Sequence, residues 1–274
     1  MSYLRRISEA DAFVALPRYR ALIAASPESA IVLGCWIEPG GRPPLHTHDV
    51  DLFYVVLSGM ARVRLGHDSH RAVAGDLIYI PAGLPHGSDN QSGAIEHHLE
   101  ILVPGLQPGA PTQTNLETAA DVPLPTIPPY VRSVTDPGLV TTSRGRHRIL
   151  ADTAPGAESA RIRWIERAGP EAPDQAVSLD TDRLVIVTAG KLSADVAAES
   201  AVATAEALIV IPAGVPHRIW NSSAAPVRYL DVALVAPTAY QRLAPQGVSS
   251  RLDRGDQPPD EGVDSTAAPL IGQC

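Results

Sequence analysis

The feature that most constrains the fold is a seven-residue segment that occurs twice in the chain. Residues 80–86 read IPAGLPH, and residues 211–217 read IPAGVPH, 131 positions later. The same offset relates three further pairs: Asp51 and Asp182, Gly59 and Gly190, and Asn90 and Asn221. The tripeptide WIE also recurs, at residues 36–38 and 164–166. Chance rarely keeps one register across separate segments, so we infer a tandem duplication with one similar domain in each half.

Composition favours β-structure around these segments. The chain holds 26 prolines and 21 glycines, and its short apolar runs alternate with turn residues, as is typical of β-sandwiches and barrels. We therefore predict an all-β fold. The exception is residues 1–25, where the spacing of Phe13, Val14 and Leu16 predicts a short N-terminal helical segment that Pro17 ends.

Shifts in composition set the predicted domain boundaries. We assign residues 1–103 to an N-terminal domain and residues 131–240 to a C-terminal domain. Residues 104–130 contain seven prolines and predict a stiff, extended linker. Residues 241–274 are polar and acidic, which predicts a flexible tail.

Three histidines in the first half form a candidate metal site. His46 and His48 are two residues apart, so both imidazoles leave the same face of an extended strand. His86 follows a Pro- and Gly-containing segment that can turn the chain back toward them. Neutral imidazole suits iron, zinc, nickel or copper. We expect the three rings to converge on one divalent metal.

These residues resemble the cupin family. The second cupin motif, G-x5-P-x-G-x2-H-x3-N, is matched in full from Gly75 to Asn90. The first motif, G-x5-H-x-H-x3/4-E-x6-G, is matched at its glycines and histidines but has Leu52 in place of the glutamate. The resemblance implies two tandem jelly-roll barrels, of the double-stranded β-helix type. Asp51, the nearest carboxylate, becomes a fourth ligand if the strand bulges.

The second half lacks most of this set. At the offset of 131, His46 and His48 become Val177 and Leu179, and the glutamate position holds Arg183. His217 alone remains from the three histidines. We expect the C-terminal domain to keep the fold without the metal.

Glu96, His98 and Glu100 are the candidate catalytic residues. Their spacing of two places them on one face of a strand. They either reach the metal cavity, where ligating imidazoles need acceptors for their second N–H, or lie on a solvated or domain-contacting face. The sequence leaves both arrangements open.

The resemblance gives three hypotheses for function. The first is an Fe(II) dioxygenase, because neutral three-histidine sites in this family bind substrates that chelate through their own oxygens, such as hydroxylated aromatic acids or diketones. The second is a redox-neutral isomerase, lyase or decarboxylase that uses the metal as a Lewis acid. The third is a small-molecule-binding cupin without turnover. Iron(II) is the favoured metal, and zinc, nickel, manganese and copper stay open.

Charge and cysteine content exclude several other classes. A net charge of −8 argues against a nucleic-acid surface. Two cysteines, Cys35 and Cys274, cannot form a disulfide framework, and no apolar run approaches the length of a membrane span. We expect a cytoplasmic protein whose partner is a small-molecule substrate. Whether two chains form a homodimer stays open.

Overall fold

The computed structural model describes residues 3–26, 29–105, 113–120, 122–152 and 157–234, and β-strand is the main secondary structure in these ranges. A 3-10 turn, Glu9–Asp11, is the single helical element in those ranges, so none of the described helices could cross a membrane. The strands of the first half are β1 (Leu4–Arg6), β2 (Phe13–Leu16), β3 (Tyr19–Ala25), β4 (Ile31–Ile37), β5 (His46–Thr47), β6 (Asp51–Ser58), β7 (Met60–Leu65), β8 (Asp68–Val73), β9 (Asp76–Ile80), β10 (His86–Asp89), β11 (Glu96–Val103) and β12 (Thr114–Asn115). Those of the second half are β13 (Tyr130–Ser133), β14 (Val140–Thr142), β15 (Gly145–Ala151), β16 (Ala160–Arg167), β17 (Arg183–Ala189), β18 (Lys191–Val196), β19 (Glu199–Thr204), β20 (Ala207–Ile211), β21 (His217–Trp220) and β22 (Val227–Leu234).

These strands form two barrels, each from two antiparallel sheets. In the N-terminal barrel a seven-stranded sheet, ordered β13-β9-β6-β11-β4-β3-β2, faces a five-stranded sheet ordered β12-β5-β10-β7-β8. In the C-terminal barrel a seven-stranded sheet, ordered β1-β20-β17-β22-β16-β15-β14, faces a three-stranded sheet ordered β19-β18-β21. The predicted all-β tandem jelly-roll fold is therefore confirmed.

In each barrel, one edge strand comes from the opposite half of the sequence. Strand β1, near the N-terminus, pairs with β20 of the C-terminal barrel. Strand β13 pairs with β9 of the N-terminal barrel. Sheet membership thus crosses the sequence ranges 1–103 and 131–240, which stay predictions as domain boundaries. Part of the predicted linker forms β12, which pairs with β5, and the predicted tail, 241–274, lies outside the described residues.

The predicted N-terminal helical segment is reduced to the 3-10 turn. Residues Phe13–Leu16 and Tyr19–Ala25 are strands β2 and β3, joined in a hairpin across Pro17 and Arg18. Arg18 takes a left-handed conformation with φ of 62°, which turns the chain sharply. Tertiary pairing of β3 with β4 overrides the weak helical spacing.

The recurring WIE tripeptide is out of structural register by two residues. Trp36 pairs with His97 on β11, whereas Trp164 pairs with Leu230 on β22. Leu230 is equivalent to Leu99 at the offset of 131, so the structural counterpart of Trp36 is Glu166, which pairs with Arg228. The repeated tripeptide therefore does not place the two tryptophans at equivalent positions.

Successive side chains of the central strands pack alternately into two different hydrophobic cores. On β6, Leu52, Tyr54 and Val56 point into the N-terminal barrel, whereas Phe53 and Val55 point to a cluster shared with the second half. The shared cluster joins both seven-stranded sheets. Its members from the two halves include Trp36, Phe53, Tyr79, Leu99 and Ile101 with Leu150, Ile162, Leu184, Ile186 and Leu230. Each such side chain contributes about 1.5–3 kcal/mol when fully buried.

A neutral histidine lies in this shared core and predicts a pH-dependent stability. His97 stacks on Trp36 with ring centroids 4.5 Å apart, and its Nε2 is buried without a hydrogen-bond partner. Burial, followed by the positive charge of His98, lowers the pKa of His97 to about 4. The unfolded chain binds this proton near pH 6.5 and the folded chain only near pH 4, so stability falls as pH drops between these values.

We expect the folded state to lose about 2 kcal/mol from His97 alone between pH 7 and pH 5. Urea unfolding of wild type and of His97→Phe at both pH values measures this loss, because the substituted ring cannot take up a proton. The variant should lose correspondingly less stability on acidification. An identical pH dependence in the two proteins would contradict the assignment.

Candidate metal centre

The structure brings the three sequence-predicted histidines together inside the N-terminal barrel. His46 on β5 pairs directly with His86 on β10, and His48 follows β5 by one residue. One candidate ligand atom from each lies within 4.8 Å of the others, and the ring centroids are 4.4 to 5.0 Å apart. All three side chains are buried.

Backbone hydrogen bonds fix which nitrogen faces the centre in two of the three rings. The Nδ1 of His46 donates to the carbonyl of Pro44 at 2.9 Å, and that of His86 donates to the carbonyl of Leu84 at 2.8 Å. A carbonyl only accepts, so Nδ1 carries the proton and Nε2 keeps its lone pair. The Nε2 of His86 is buried without a hydrogen-bond partner. This donor set fits a divalent metal, since ligating imidazoles commonly donate their other N–H to a carbonyl or carboxylate.

Electrostatics keep the His86 ring neutral. Burial, followed by the charges of His46 and His48, lowers the pKa of His86 well below its usual range. A neutral imidazole is the form that binds a metal. The cluster is therefore ready for a cation without first losing a proton from His86.

The equivalent place in the C-terminal barrel is filled by an arginine. The Nδ1 of His217 donates to the carbonyl of Val215 at 3.0 Å, as in the first barrel. Its Nε2, however, accepts a hydrogen bond from Nη1 of Arg183 at 3.0 Å. The same guanidinium donates through Nε to Asp231 at 2.6 Å. Among the described residues no group of candidate metal ligands occurs in this barrel.

Arg183 also marks where a cation belongs in the first barrel. Its guanidinium lies between an imidazole, His217, and a carboxylate, Asp231. The offset of 131 relates these two residues to His86 and Glu100. Leu52 stands at the position of Arg183 and supplies no charge there. By the same offset, Glu100 corresponds to the carboxylate that Arg183 contacts.

Glu96, His98 and Glu100 lie on the interior face of β11, buried from solvent. The Nδ1 of His98 lies 2.8 Å from Oε2 of Glu96, and its Nε2 lies 3.4 Å from Oε1 of Glu100. The hydroxyl of Tyr54 donates to Oε1 of Glu96 at 3.2 Å, and the Tyr54 ring stacks on His98. Of the two arrangements that the sequence left open, the structure has the one that faces the barrel cavity.

This row of side chains holds a positive charge between two negative ones. Burial acts to lower the pKa of His98, but Glu96, Cys35 and Glu100 raise it well above its usual range. Burial acts to raise the pKa of Glu100, but the hydrogen bond and charge of His98 lower it below its ordinary value. His48 and His46 lower it further, which places the Glu100 carboxylate within electrostatic reach of the candidate metal ligands.

Cys35 belongs to this site although the sequence offered no signal for it. Its thiol, a nitrogen of His98 and an oxygen of Glu100 lie within 4.8 Å of one another, because β4 pairs with β11 at Cys35 and His98. Both nitrogens of His98 face carboxylates, so this group is an ion chain rather than a second metal site. The Tyr19 hydroxyl donates to the thiol at 3.0 Å, and burial raises the pKa of Cys35.

The structure directs Asp51 away from the three imidazoles. Its Oδ1 accepts a hydrogen bond from the backbone N–H of Ala82 at 3.1 Å, and its Oδ2 accepts one from the hydroxyl of Ser159 at 2.7 Å. Asp51 belongs to neither group of candidate ligands among the described residues. The geometry therefore does not support the prediction of Asp51 as a fourth ligand, since both oxygens serve the scaffold.

Two equivalent histidines give a matched test of the centre. We expect His86→Ala to weaken metal binding by more than about 100-fold, because even changes outside the ligand set cost roughly 10- to 100-fold. His217→Ala should keep the metal and lose about 1.5–3 kcal/mol of stability, for the lost hydrogen bond to the charged Arg183. Elemental analysis after reconstitution and dialysis measures both. Equal metal content in the two variants would remove His86 from the ligand set.

Comparison with known proteins gives the following similarities. Residues 35–99 and 179–233 match the family model described as Cupin domain. A putative glyoxylate induced protein from Pseudomonas aeruginosa is similar in structure, with a TM-score of 0.66 and 15% identity over 85% of this chain and 87% of that one. Oxalate decarboxylase from Bacillus subtilis has a TM-score of 0.66 and 16% identity over 88% of this chain and 80% of that one. No curated protein sequence matches significantly.

Proposed function

The chain belongs to the cupin superfamily as a bicupin, and we propose that its N-terminal domain is a mononuclear metal enzyme acting on a small, anionic, oxygen-chelating substrate. His46, His48 and His86 would hold the metal, which would supply Lewis-acid polarisation of a substrate oxygen. The observation that carries the proposal is a difference between the two barrels. In the C-terminal barrel Arg183 fills the place beside His217, whereas in the N-terminal barrel the equivalent place beside His86 is left for a cation. The C-terminal domain is then a scaffold.

The Glu96–His98–Glu100 row provides the acid–base function. Glu100 is ionised beside the candidate ligands, so its carboxylate can accept a proton from a substrate atom. The Nε2–H of His98 stabilises that carboxylate, and Glu96 stabilises the imidazolium from the other side. Apolar side chains of the barrel interior, Leu52 among them, exclude bulk water from this space.

A redox-neutral reaction, by an isomerase, lyase or decarboxylase, makes direct use of this row. Proton transfer by a positioned carboxylate contributes about 100- to 10,000-fold in such reactions. The similarity of the fold to oxalate decarboxylase is compatible with this class.

The second candidate is the Fe(II) dioxygenase expected from the sequence. The observation that favours it is the replacement of the motif glutamate by Leu52, which leaves three neutral imidazoles. Such a set keeps more positive charge on the metal and leaves room for a chelating anion and a further small ligand. In a dioxygenase, Glu100 would orient the substrate.

Removal of oxygen separates the two candidates. We expect turnover of a small carboxylate or keto-acid substrate to proceed at an unchanged rate under argon, and with zinc or manganese as the metal. The assay follows loss of substrate across a panel of keto acids, dicarboxylates, hydroxylated aromatic acids and diketones. Turnover that stops under argon and requires iron would establish the dioxygenase instead. Ligand binding that survives His86→Ala, with no turnover at all, would establish a non-catalytic binding protein.

The role of Glu100 has its own test. Glu100→Gln keeps the size of the side chain and removes its basicity, so kcat should fall by at least about 100-fold while metal content stays at the wild-type level. Asp231→Asn, at the equivalent place in the other barrel, serves as the control and should lower stability with kcat unchanged. Equal kcat values for wild type and Glu100→Gln would exclude Glu100 as the base.

A further inference from the structure

One buried hydroxyl of the second half donates a hydrogen bond into the metal-binding half. Ser159 lies just before β16 and is 1% exposed. It donates to Oδ2 of Asp51 at 2.7 Å, across 108 residues of chain. Asp51 is itself buried, with 7% exposure. The bond therefore joins the two halves in a place that water does not screen.

Asp51 is connected to two of the segments that carry the candidate ligands. It begins β6, three residues after His48, and its Oδ1 accepts from the N–H of Ala82. Ala82 lies four residues before His86. The N–H of Gly83 donates to the carbonyl of His48 at 2.8 Å. The Asp51 carboxylate and the Gly83–His48 hydrogen bond thus hold the segment that carries His48 against the turn that presents His86.

The same turn sets the direction of the His86 ring. The Leu84 carbonyl within it accepts the proton of His86 Nδ1, which aims Nε2 at the centre. A rotation of the Asp51 carboxylate would release the Ala82 N–H and let this turn move relative to His48. The hydroxyl of Ser159 opposes that rotation, because it holds the second oxygen.

An equivalent contact exists in the opposite direction. Asp182 accepts from the N–H of Ala213 at 2.7 Å and from the hydroxyl of Ser29 at 2.5 Å. Ser29 belongs to the first half and Asp182 to the second, so the two contacts are reciprocal. Ser29 lies 130 residues before Ser159, and both serines belong to a repeated ESA tripeptide. The turn that Asp182 holds presents His217, whose barrel lacks the other two histidines.

We propose that Ser159 is a positioning residue for the metal centre, so that a side chain of the metal-free domain sets the metal affinity of the other domain. The inference rests on the metal centre of the proposed function and on neither of its two reaction classes. It also gives the C-terminal domain a role in the site beyond covering apolar surface. Ser29, with the same chemistry and no metal centre behind it, distinguishes positioning from simple cohesion between the domains.

The test compares Ser159→Ala with Ser29→Ala in the full chain. Each apoprotein is titrated with Co²⁺ against a chelator, and the visible absorption of the bound ion reports its coordination. Both variants should lower the apoprotein unfolding midpoint, since each removes one contact between the halves. Ser159→Ala should also weaken Co²⁺ binding by about 10-fold or more and alter the absorption spectrum. Ser29→Ala should change Co²⁺ binding less than about 2-fold.

A second pair keeps the test decisive if alanine prevents folding. Ser159→Cys and Ser29→Cys preserve volume and weaken the donor, and Ser159→Thr keeps the hydroxyl and should restore affinity. Equal Co²⁺ affinities and spectra across the Ser159 and Ser29 variants would overturn the inference. If the wild-type protein binds Co²⁺ in the same experiment, the metal centre itself still stands. A wild-type protein that binds no Co²⁺ would overturn the metal centre and, with it, the role of Ser159.

Discussion

The apolar core between the two seven-stranded sheets is the constraint on which the rest of the structure depends. Both faces of the central strands are buried, one inside a barrel and one against the other half. Such a sheet cannot keep its outer face in water alone. The exchange of β1 and β13 between the barrels adds backbone hydrogen bonds to this contact. The metal-free half is thus required by the packing of the half that carries the histidines.

The two barrels of the duplicated chain differ in how they satisfy the same buried polar groups. Each barrel buries an imidazole whose Nε2 lone pair faces inward, opposite a carboxylate on the long strand after it. Burying such groups is unfavourable unless each finds a partner. In the second barrel Arg183 supplies a permanent positive charge, which joins His217 to Asp231. In the first, a leucine stands at that position and His98 is the charged partner of Glu100, so the inward Nε2 of His86 is left without a hydrogen-bond partner.

The charged row on β11 is a buried ion chain inside the first barrel. An imidazolium between two carboxylates would be expensive in a dry interior if any member were missing. His98 keeps Glu100 ionised beside the candidate ligands, and Tyr54 and Glu96 keep His98 in place. The second barrel has Val227, Tyr229 and Asp231 at these positions. Only Asp231 keeps a charge, and two arginines, Arg183 and Arg163, neutralise it.

The sequence by itself determined the duplication, the β class, the three histidines and the loss of two of them from the second half. These features are local: a Pro- and Gly-rich turn fixes its own conformation, and a spacing of two fixes a shared strand face. The sequence could not decide which face of β11 looks inward, because that depends on pairing with β4 and β6 and on the irregular register beside His97. For the same reason, aligning the two halves by the WIE repeat places them two residues out of their structural register.

Only the tertiary structure decided the roles of Asp51, Cys35 and Ser159. Asp51 reads as a ligand from its position beside Leu52, but its partners are a backbone N–H 31 residues away and a hydroxyl 108 residues away. Cys35 meets His98 through strand pairing between β4 and β11, a long-range contact that no local pattern encodes. Contacts of this kind form when two distant surfaces pack, and their energy depends on burial that the chain acquires only on folding.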